Sequence, residues 1–249
     1  MSFDYEAAVL YDLMNPPQFE PDQIDFHLHH AIRARNVLDF GAGTGRVAIP
    51  LAEHRVNVTC FDKFAGMLAA LVIKVAGRTE LHPFVTPVSG DPLTIDLKKQ
   101  FTYAYMSRVL FYLPTDEERV ALFRNVAKHI EPNGVFCVDA PMGSRLSQPK
   151  TQTHKIRLGR YQYTVAIGYE RQGGTQYKGV YTFTEHYNGE LMKTRDSHFD
   201  AADIPGKNYM IDLFKEAGLT VEEIYADHKF KPYPSTGEAD YGIFLARKK

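Results

Sequence analysis

The chain carries the stretch Val37-Leu38-Asp39-Phe40-Gly41-Ala42-Gly43-Thr44-Gly45-Arg46, which has the pattern of a buried strand, a glycine-rich turn and a helix start. Its glycines are spaced G-x-G-x-G, whereas a dinucleotide-binding fingerprint has G-x-G-x-x-G. Arg46 stands where that fingerprint has its last glycine, and no Gly-Lys-Ser/Thr ending follows as it does in a P-loop. We therefore predict a turn whose backbone approaches a ligand closely without cradling a phosphate.

A second strand-like run, residues 56–62, ends in an acidic residue. Asp62 lies about 20 residues after Gly41, the separation at which an acid at a strand end reaches a ribose diol. A ribose-binding acid beside a turn without phosphate chemistry suits a nucleoside that carries an amino acid, such as S-adenosylmethionine. These residues resemble motif I and the following acidic position of the class I S-adenosylmethionine-dependent methyltransferases.

Composition indicates a globular protein with no general attraction to polyanions. The 249 residues are 44% hydrophobic, and 29 Lys and Arg balance 30 Asp and Glu. This near-neutral balance argues against nucleic acid or an anionic membrane as a partner. The start of the chain lacks the pattern of a signal peptide, and Cys60 and Cys137 lie in apolar runs typical of buried free thiols. We therefore expect a cytoplasmic protein.

Helix-like and strand-like segments alternate up to residue 140, which predicts a parallel sheet wound on both faces. Thr115 and Glu118 have the spacing of a capping box at a helix start. The predicted helices are residues 5–14, 21–33, 47–54, 64–76, 115–130 and 210–217. The predicted strands of this part are residues 37–40, 56–62, 82–89, 101–106 and 135–140, and two more follow at 220–226 and 241–246.

Between residues 154 and 199 the helical periodicity stops, and three strand-like runs follow at 161–167, 177–187 and 190–199. Asn188-Gly189 between the last two predicts a hairpin with a type I′ turn. A two-residue turn would pair Tyr187 with Glu190, Glu185 with Met192, Phe183 with Thr194 and Tyr181 with Asp196. One face would then hold Tyr181, Phe183, Glu185, Tyr187 and Met192 together with Asp196 and His198.

This layout resembles the class I methyltransferase fold over nearly the whole chain, which implies a doubly wound, mostly parallel, Rossmann-like sheet of seven strands. Within that superfamily it is similar to the sugar-amine N,N-dimethyltransferases and glycine N-methyltransferase-like proteins, which carry an N-terminal helical arm and extra strands after the fifth strand. We interpret residues 1–249 as one domain. Its parts would be an arm (1–35), a cofactor-binding core (36–150), an antiparallel insertion serving as lid or dimer face (151–205), and the last helix and strands (206–249).

The resemblance implies a cofactor site at the strand ends. Asp39 would lie near the methionine amino group, Asp62 would bind the ribose hydroxyls, and Asp91 would accept from the adenine amino group. An ordinary Gly-Asp-Pro turn is the alternative for Asp91, and a solvated helix position is the alternative to a carboxylate contact for Arg46. The full implied set is Asp39, Gly41, Ala42, Gly43, Thr44, Gly45, Arg46, Asp62, Lys63, Met67, Gly90, Asp91, Pro92, Met106 and Ser107.

Four residues are candidates for the acceptor side of the site. Tyr11 in the arm could fold over the cofactor as in similar enzymes, with core packing as the alternative. Arg108, after the fourth strand, could bind an anionic group of the acceptor or anchor its loop. Glu185 and His198 are candidate bases on the aromatic hairpin face, unless that face is a packed sheet whose polar groups are satisfied locally.

Two further patterns favour structural readings. Asn15-Pro16-Pro17 is followed by Gln18 and comes after a helix pattern, so it predicts a helix stop rather than a nucleic-acid methyltransferase motif. His27, His29 and His30 lie on a predicted helix without acids at ligand spacing, which predicts a surface or interface face and no metal.

The sequence thus predicts an S-adenosylmethionine-dependent methyltransferase that acts on a small molecule and releases S-adenosylhomocysteine. Nitrogen is the first choice of acceptor atom, because a neutral amine needs little more than orientation. Oxygen remains an alternative that would require a positioned base, and carbon stays open. A non-catalytic binder of the cofactor, or a cofactor-dependent cyclase or lyase, needs the same cofactor residues. A homodimer is the expected assembly.

Overall fold

The computed structural model describes residues 5–15, 20–34, 36–143, 152–237 and 239–249. Its α-helices are Tyr5–Met14 (α1), Pro21–Ala31 (α2), Ala48–Glu53 (α3), Ala65–Ala76 (α4), Asp116–Lys128 (α5) and Lys207–Glu216 (α6). Its strands are Val37–Phe40 (β1), Val58–Asp62 (β2), Val85–Ser89 (β3), Phe101–Ser107 (β4), Ile130–Pro141 (β5), Gln152–Leu158 (β6), Tyr161–Gly173 (β7), Gln176–Tyr187 (β8), Glu190–Ala202 (β9), Leu219–Tyr225 (β10) and Tyr241–Lys248 (β11).

Seven strands form one sheet in the order β10-β11-β5-β4-β1-β2-β3. Strands β1 to β5 pair in parallel, while β11 runs antiparallel to both β5 and β10. The predicted doubly wound, mostly parallel, seven-stranded sheet is therefore confirmed. The order reverses between β1 and β4, and this is where open parallel sheets bind their ligands.

Both faces of the sheet are covered by helices. On β1, Leu38 and Phe40 pack into a cluster with α5 and α6, while Val37 packs into a second cluster with α2 and α3. Every residue of β1 and β2 is buried. This explains why both strands read as continuous apolar runs, as expected for strands covered on both faces.

Two strand boundaries differ from the prediction. Residues 82–84 belong to a 3-10 helix, Thr79–Phe84, so β3 begins three residues late and lies at the sheet edge, as its prolines suggest. The expected turn before the fifth strand is part of β5, where Asn133 has a φ of 65° and the pairing with β4 shifts by three residues. The predicted capping box at Thr115 and Glu118 is present at the start of α5.

A separate antiparallel sheet, in the order β6-β7-β8-β9, follows β5. The predicted strand block is therefore confirmed, with four strands instead of three. The missed strand β6 is an edge strand with mostly exposed side chains, so it lacks the apolar alternation that reveals a half-buried strand. Val165, Tyr181 and Phe199 of this sheet pack against α1 and α4 in one apolar cluster.

The hairpin between β8 and β9 has the predicted turn but not the predicted register. Asn188 and Gly189 have φ values of 49° and 87°, as a type I′ turn requires. A β-bulge after the second pair shifts the partners by one residue, so that Glu185 faces Lys193 and Tyr181 faces Ser197. Because side chains alternate between faces along a strand, this shift exchanges the faces of β9 beyond the bulge.

The helices and the two cysteines can be compared with the expectations from composition. Among the described helices, none is long and apolar enough to cross a membrane. Cys60 and Cys137 are buried free thiols, as predicted.

Candidate functional site

One pocket lies at the carboxyl ends of β1, β2 and β4, where the strand order reverses. The predicted site residues that line it are Tyr11, Asp39, Gly41, Ala42, Gly43, Thr44, Arg46, Asp62, Lys63, Met67, Pro92, Ser107 and Arg108. The lining residues that sequence reasoning missed are Phe40, Val47, Phe61, Phe64, Tyr105, Val109, Tyr112, Leu113 and Leu122. The missed residues are mostly apolar, and no chemical signal in the sequence separates them from core residues.

The glycine turn forms one wall of the pocket. The backbone N–H groups of Gly41 and Ala42 both donate to the carbonyl oxygen of Phe61, at 2.8 and 2.9 Å, which fixes the turn to β2. Gly41 has a φ of 99°, and a Cβ there would clash with Cγ2 of Val109 in the loop after β4. The turn is therefore clamped between two strand ends in a conformation that favours glycine.

Asp62 holds the tip of that turn. Its carboxylate accepts the Gly43 N–H at 2.8 Å and the Phe64 N–H at 2.9 Å. The side chain lines the pocket although the residue is only 7% exposed. Burial raises the pKa of this carboxyl. A single acid thus organises the turn and is available to hydroxyl groups of a ligand in the pocket.

Asp39 is the second acid of the pocket. Its Oδ2 accepts the Tyr105 hydroxyl at 2.7 Å. Burial raises the pKa of Asp39 to about 7, although the hydrogen bond from Tyr105 lowers it. A carboxylate in such a position is stabilised by a ligand cation, because an opposite charge favours the ionised form.

The raised pKa of Asp39 predicts how stability changes with pH. In the unfolded chain this carboxyl titrates near pH 4. Between about pH 4 and pH 7 the folded protein keeps a proton that the unfolded chain has lost, so this group lowers the free energy of unfolding as pH rises. Asp39→Asn removes the titration, and its free energy of unfolding should exceed that of wild type by about 1–3 kcal/mol at pH 8 and match it near pH 4.

Urea denaturation between pH 4 and pH 8 measures this difference. Asp22→Asn, at an exposed position of α2, serves as the control and should stay within about 0.5 kcal/mol of wild type throughout. Parallel curves for Asp39→Asn and wild type would contradict the buried titration.

Charged side chains gather at one end of the pocket. The Glu20 carboxylate accepts from Arg46 at 2.7 Å and also pairs with Arg108. The Arg46 side chain is 13% exposed, so the structure does not place it as a solvated helix residue. These two arginines line the pocket, and both form ion pairs with Glu20.

Asp139, at the end of β5, organises the loop after β4. Its carboxylate accepts the Arg108 N–H at 2.9 Å and the Ser107 hydroxyl at 2.8 Å. Arg108 has a φ of 54°, which is unusual for a residue with a side chain. Burial alone would raise the pKa of Asp139, but His228 and Arg108 hold it well below its usual range. Its place near the carboxyl end of a buried strand is the sequence feature that predicts such a role, as it does for Asp39 and Asp62.

The remaining wall of the pocket is aromatic. Tyr11 of α1, Phe64 before α4 and Tyr112 after β4 all line it. The Tyr112 hydroxyl lies 2.8 Å from the Tyr181 hydroxyl of the four-stranded sheet. Tyr11 and Tyr181 are in edge-to-face contact, with ring centroids 6.4 Å apart. The sheet β6–β9 therefore packs against Tyr112 and Tyr11 of this wall through Tyr181.

Four residues of the implied cofactor set lie outside the pocket lining. Gly45 packs against Leu71, and Gly90 packs against Ile95. Met106 is buried in the core next to α5. Asp91 is exposed and accepts the Leu93 N–H at 2.9 Å, which is the ordinary turn that the sequence left as an alternative.

The two candidate bases are not brought to the pocket. Because of the bulge in the hairpin, Asp196 and His198 share a face of the sheet opposite to that of the buried Ser197 and Phe199, and His198 is exposed. Glu185 lies beside Lys193 in a separate groove between α1 and the four-stranded sheet. The predicted grouping of Glu185 and His198 on one covered aromatic face is therefore wrong.

The three histidines of α2 differ in burial. His27 is 1% exposed and donates to or accepts from the Tyr103 hydroxyl at 2.8 Å, so the predicted surface face is wrong for this residue. His29 is exposed, and His30 is half-buried. Helix α1 ends at Met14, whereas Pro16 and Pro17 lie outside the described residues.

Comparison with known proteins supports the resemblance found in the sequence. A family described as "Methyltransferase domain" matches residues 38–136. The cypemycin N-terminal methyltransferase of Streptomyces sp is 34% identical over 112 residues, which cover 45% of this chain and 44% of that protein. The chain thus aligns with less than half the length of this curated relative.

Solved structures match over more of the chain. Streptomyces venezuelae DesVI has a TM-score of 0.78 at 18% identity, with 99% of this chain and 100% of that chain covered. CalS10 from Micromonospora echinaspora, an amino pentose methyltransferase solved with S-adenosylmethionine bound, has a TM-score of 0.72 at 19% identity, with 100% and 98% covered. At these identities the likeness shows the fold, which is the class I methyltransferase fold expected from the sequence.

Proposed function

We propose that this chain, which carries a methyltransferase domain with the class I fold, transfers a methyl group from S-adenosylmethionine to an amine nitrogen of a small molecule. The reaction would be an in-line displacement at the sulfonium methyl. Because the donor is already activated, the protein would act mainly by holding donor and acceptor about 3–3.5 Å apart in the right orientation. S-adenosylhomocysteine would be the second product.

The placement of two buried acids on either side of the glycine turn carries this proposal. Asp39 and Asp62 both line the pocket, and each is buried enough to have a raised pKa. The amino group of S-adenosylmethionine offers a cation to Asp39, and its ribose offers two hydroxyls to Asp62. Arg46 and Arg108 at the same end offer partners for its carboxylate.

The acceptor side supports an amine. Its described lining residues Tyr11, Phe64 and Tyr112 are aromatic, and the lining acids, Asp39 and Asp62, lie at the glycine turn instead. A hydroxyl acceptor would require a positioned base, whereas a neutral amine already carries the attacking lone pair. Aromatic faces also attract the ammonium that forms on methylation. The names of two related proteins, the cypemycin N-terminal methyltransferase and an amino pentose methyltransferase, also refer to amines.

Transfer of labelled methyl from S-adenosylmethionine to separate pools of small amines, amino sugars, phenols and carboxylic acids tests this function. Label on an amine is the expected result. Label only on a phenol or acid would replace the nitrogen proposal with oxygen transfer, and label on a ring carbon would replace it with carbon transfer. Tight cofactor binding without any transfer would favour a binding protein, and an altered acceptor without label would favour a cyclase or lyase.

The hydroxyl pair of Tyr112 and Tyr181 gives a prediction for the acceptor side. Tyr112→Phe removes a polar group that lines the pocket and leaves the Tyr181 hydroxyl without this partner. We expect kcat/KM for the amine to fall about 5- to 10-fold, equivalent to roughly 1 kcal/mol for one hydrogen bond. The dissociation constant of S-adenosylhomocysteine should change less than about twofold, since the cofactor residues are intact.

Steady-state kinetics and calorimetry on the same preparations measure both quantities. Tyr161→Phe, at a 40% exposed position of β7, is the control and should leave both unchanged. Equal losses of cofactor affinity and kcat/KM in Tyr112→Phe would place this residue on the cofactor side instead.

We further propose that the protein works in the cytoplasm as a homodimer. Its two buried free thiols are compatible with a reducing compartment. The exposed apolar side chains Leu158, Leu191 and Met192 at the turn end of the four-stranded sheet support a contact with a second copy. Sedimentation equilibrium would test this, and a monomer at micromolar concentration would contradict it.

A further inference from the structure

Three side chains with metal-ligating atoms meet beside the charged end of the pocket. His27 comes from α2, Asp139 from the end of β5, and His228 from the loop after β10. One ligand atom of each lies within 4.8 Å of the others. His228 Nε2 is 3.3 Å from Asp139 Oδ2. The proposed methyl transfer uses neither histidine.

One ring nitrogen of His27 is left without a hydrogen bond. Its Nδ1 is 2.8 Å from the Tyr103 hydroxyl, while its buried Nε2 has no hydrogen-bond partner among the described residues. His27 is 1% exposed, and a neutral imidazole carries a lone pair on one of its two ring nitrogens. A buried nitrogen without a partner is unfavourable, and a ligand that accepts this lone pair would remove the penalty.

We propose that His27, Asp139 and His228 bind a divalent transition-metal ion, with zinc as the expected metal. Two imidazoles and one carboxylate form a donor set that zinc binds in proteins, with a water molecule in the fourth position. The ligands also have supporting partners of the kind that orient metal ligands. Tyr103 holds the other ring nitrogen of His27, and Ser107 holds the Asp139 carboxylate.

The charge state of the ligands suits the ion. A metal ligand must be deprotonated, and the Asp139 carboxylate accepts the backbone N–H of Arg108 and the Ser107 hydroxyl, as an ionised carboxylate does. Bound donors in a tetrahedral site lie roughly 3.4 Å apart, as follows from zinc–nitrogen bonds of about 2.0–2.1 Å. The widest separation in the cluster therefore shortens on binding. His228 can supply this movement, because it lies in the loop between β10 and β11 rather than in a strand, and its neighbour Lys229 is exposed.

The ion would join the arm to the pocket. Asp139 also accepts the backbone N–H of Arg108 and the hydroxyl of Ser107, and both residues line the pocket. Zinc bound to these three ligands would fix α2 and the loop after β10 to the segment that contains Ser107 and Arg108. The ligands lie outside the pocket lining, so the ion would have a positioning role.

Titration of chelator-treated protein with zinc chloride, followed by calorimetry, tests the site. We expect one ion per chain, lost or weakened at least about 100-fold in His27→Gln and in His228→Gln. His30→Gln is the matched control, because His30 lies on the same helix and also has a buried unpartnered Nε2. It should bind zinc like wild type. Substitution with cobalt(II) should give visible absorption bands that disappear in the same two variants.

Circular dichroism of the metal-free variants shows whether each is folded. If His27→Gln does not fold, the His228→Gln variant still tests the site, because His228 is only half-buried. Tyr103→Phe should weaken zinc 10- to 100-fold while keeping one site, because it removes a partner of a ligand. Absence of stoichiometric zinc binding to wild type would overturn the proposal. Equal zinc affinity in wild type and His228→Gln would overturn it as well.

Discussion

Asp62→Ala is expected to weaken the binding of S-adenosylhomocysteine at least about 100-fold, or about 3 kcal/mol. The carboxylate would bind the ribose hydroxyls of the ligand, and it also accepts the N–H groups of Gly43 and Phe64. Its removal leaves two donors unpaired at the tip of the glycine turn, each at a cost of about 1–3 kcal/mol. The lost contact with the ribose hydroxyls weakens binding directly. The loosened glycine turn weakens it as well, because part of the binding free energy must be used to order the turn again.

Isothermal calorimetry at pH 8 measures this loss. Asp91→Ala is the matched control, since Asp91 is the exposed acid that the sequence also assigned to the cofactor and that lies outside the pocket lining. It should change the affinity less than about twofold. An unchanged affinity in Asp62→Ala would remove this acid from the site, and a large loss in Asp91→Ala would restore the prediction made from the sequence.

Gly41→Ala is expected to lower the free energy of unfolding by about 2–5 kcal/mol. A residue with a side chain is strained by about 1–2 kcal/mol in a left-handed conformation, and Gly41 has a φ of 99°. Its new Cβ would also overlap Val109, and such overpacking typically costs a further 1–3 kcal/mol. Because Val109 lines the pocket, methyl transfer should fall together with stability.

Gly143→Ala separates these two contributions. Gly143 also has a positive φ, of 72°, but a Cβ there would meet no atom of the described residues within 4 Å. This variant should lose only the strain of about 1–2 kcal/mol. Equal losses of stability in Gly41→Ala and Gly143→Ala, measured by urea denaturation, would show that contact with Val109 is unimportant.

The sequence predicts the sheet well because its central strands are buried on both faces. Residues 37–40 and 58–62 are all buried, and the turn after residues 37–40 needs glycine because a side chain there would clash. Strand β6 escaped prediction for the opposite reason, because its mostly exposed residues have no apolar pattern. How the chain divides at residues 35, 150 and 205 stays a prediction.

The sequence predicts a site residue correctly where a residue of that type has only one plausible role at its position. Asp39 and Asp62 end buried strands, and the structure brings both to the pocket. Tyr112 and Phe64 could not be distinguished from core aromatics, because only the tertiary packing of the four-stranded sheet makes them pocket walls. Asp139 carries the polar partners of the loop after β4, and His228 reaches it from 89 residues away in sequence.

The hairpin shows how one local irregularity changes a functional interpretation. The turn at Asn188-Gly189 fixes the first pairs, but the bulge after them shifts every later pair by one residue. His198 then points to the exposed side, although regular alternation predicts the covered one. A bulge depends on packing between strands, and nothing in the local sequence marks it.

The most direct measurement of the central claim is calorimetric titration of the wild-type protein with S-adenosylhomocysteine and, separately, with NADH. We predict one binding site per chain for S-adenosylhomocysteine and no binding of the dinucleotide, because the turn offers a ribose-binding acid without a phosphate cradle. Binding of NADH, or no binding of S-adenosylhomocysteine to folded protein, would contradict it.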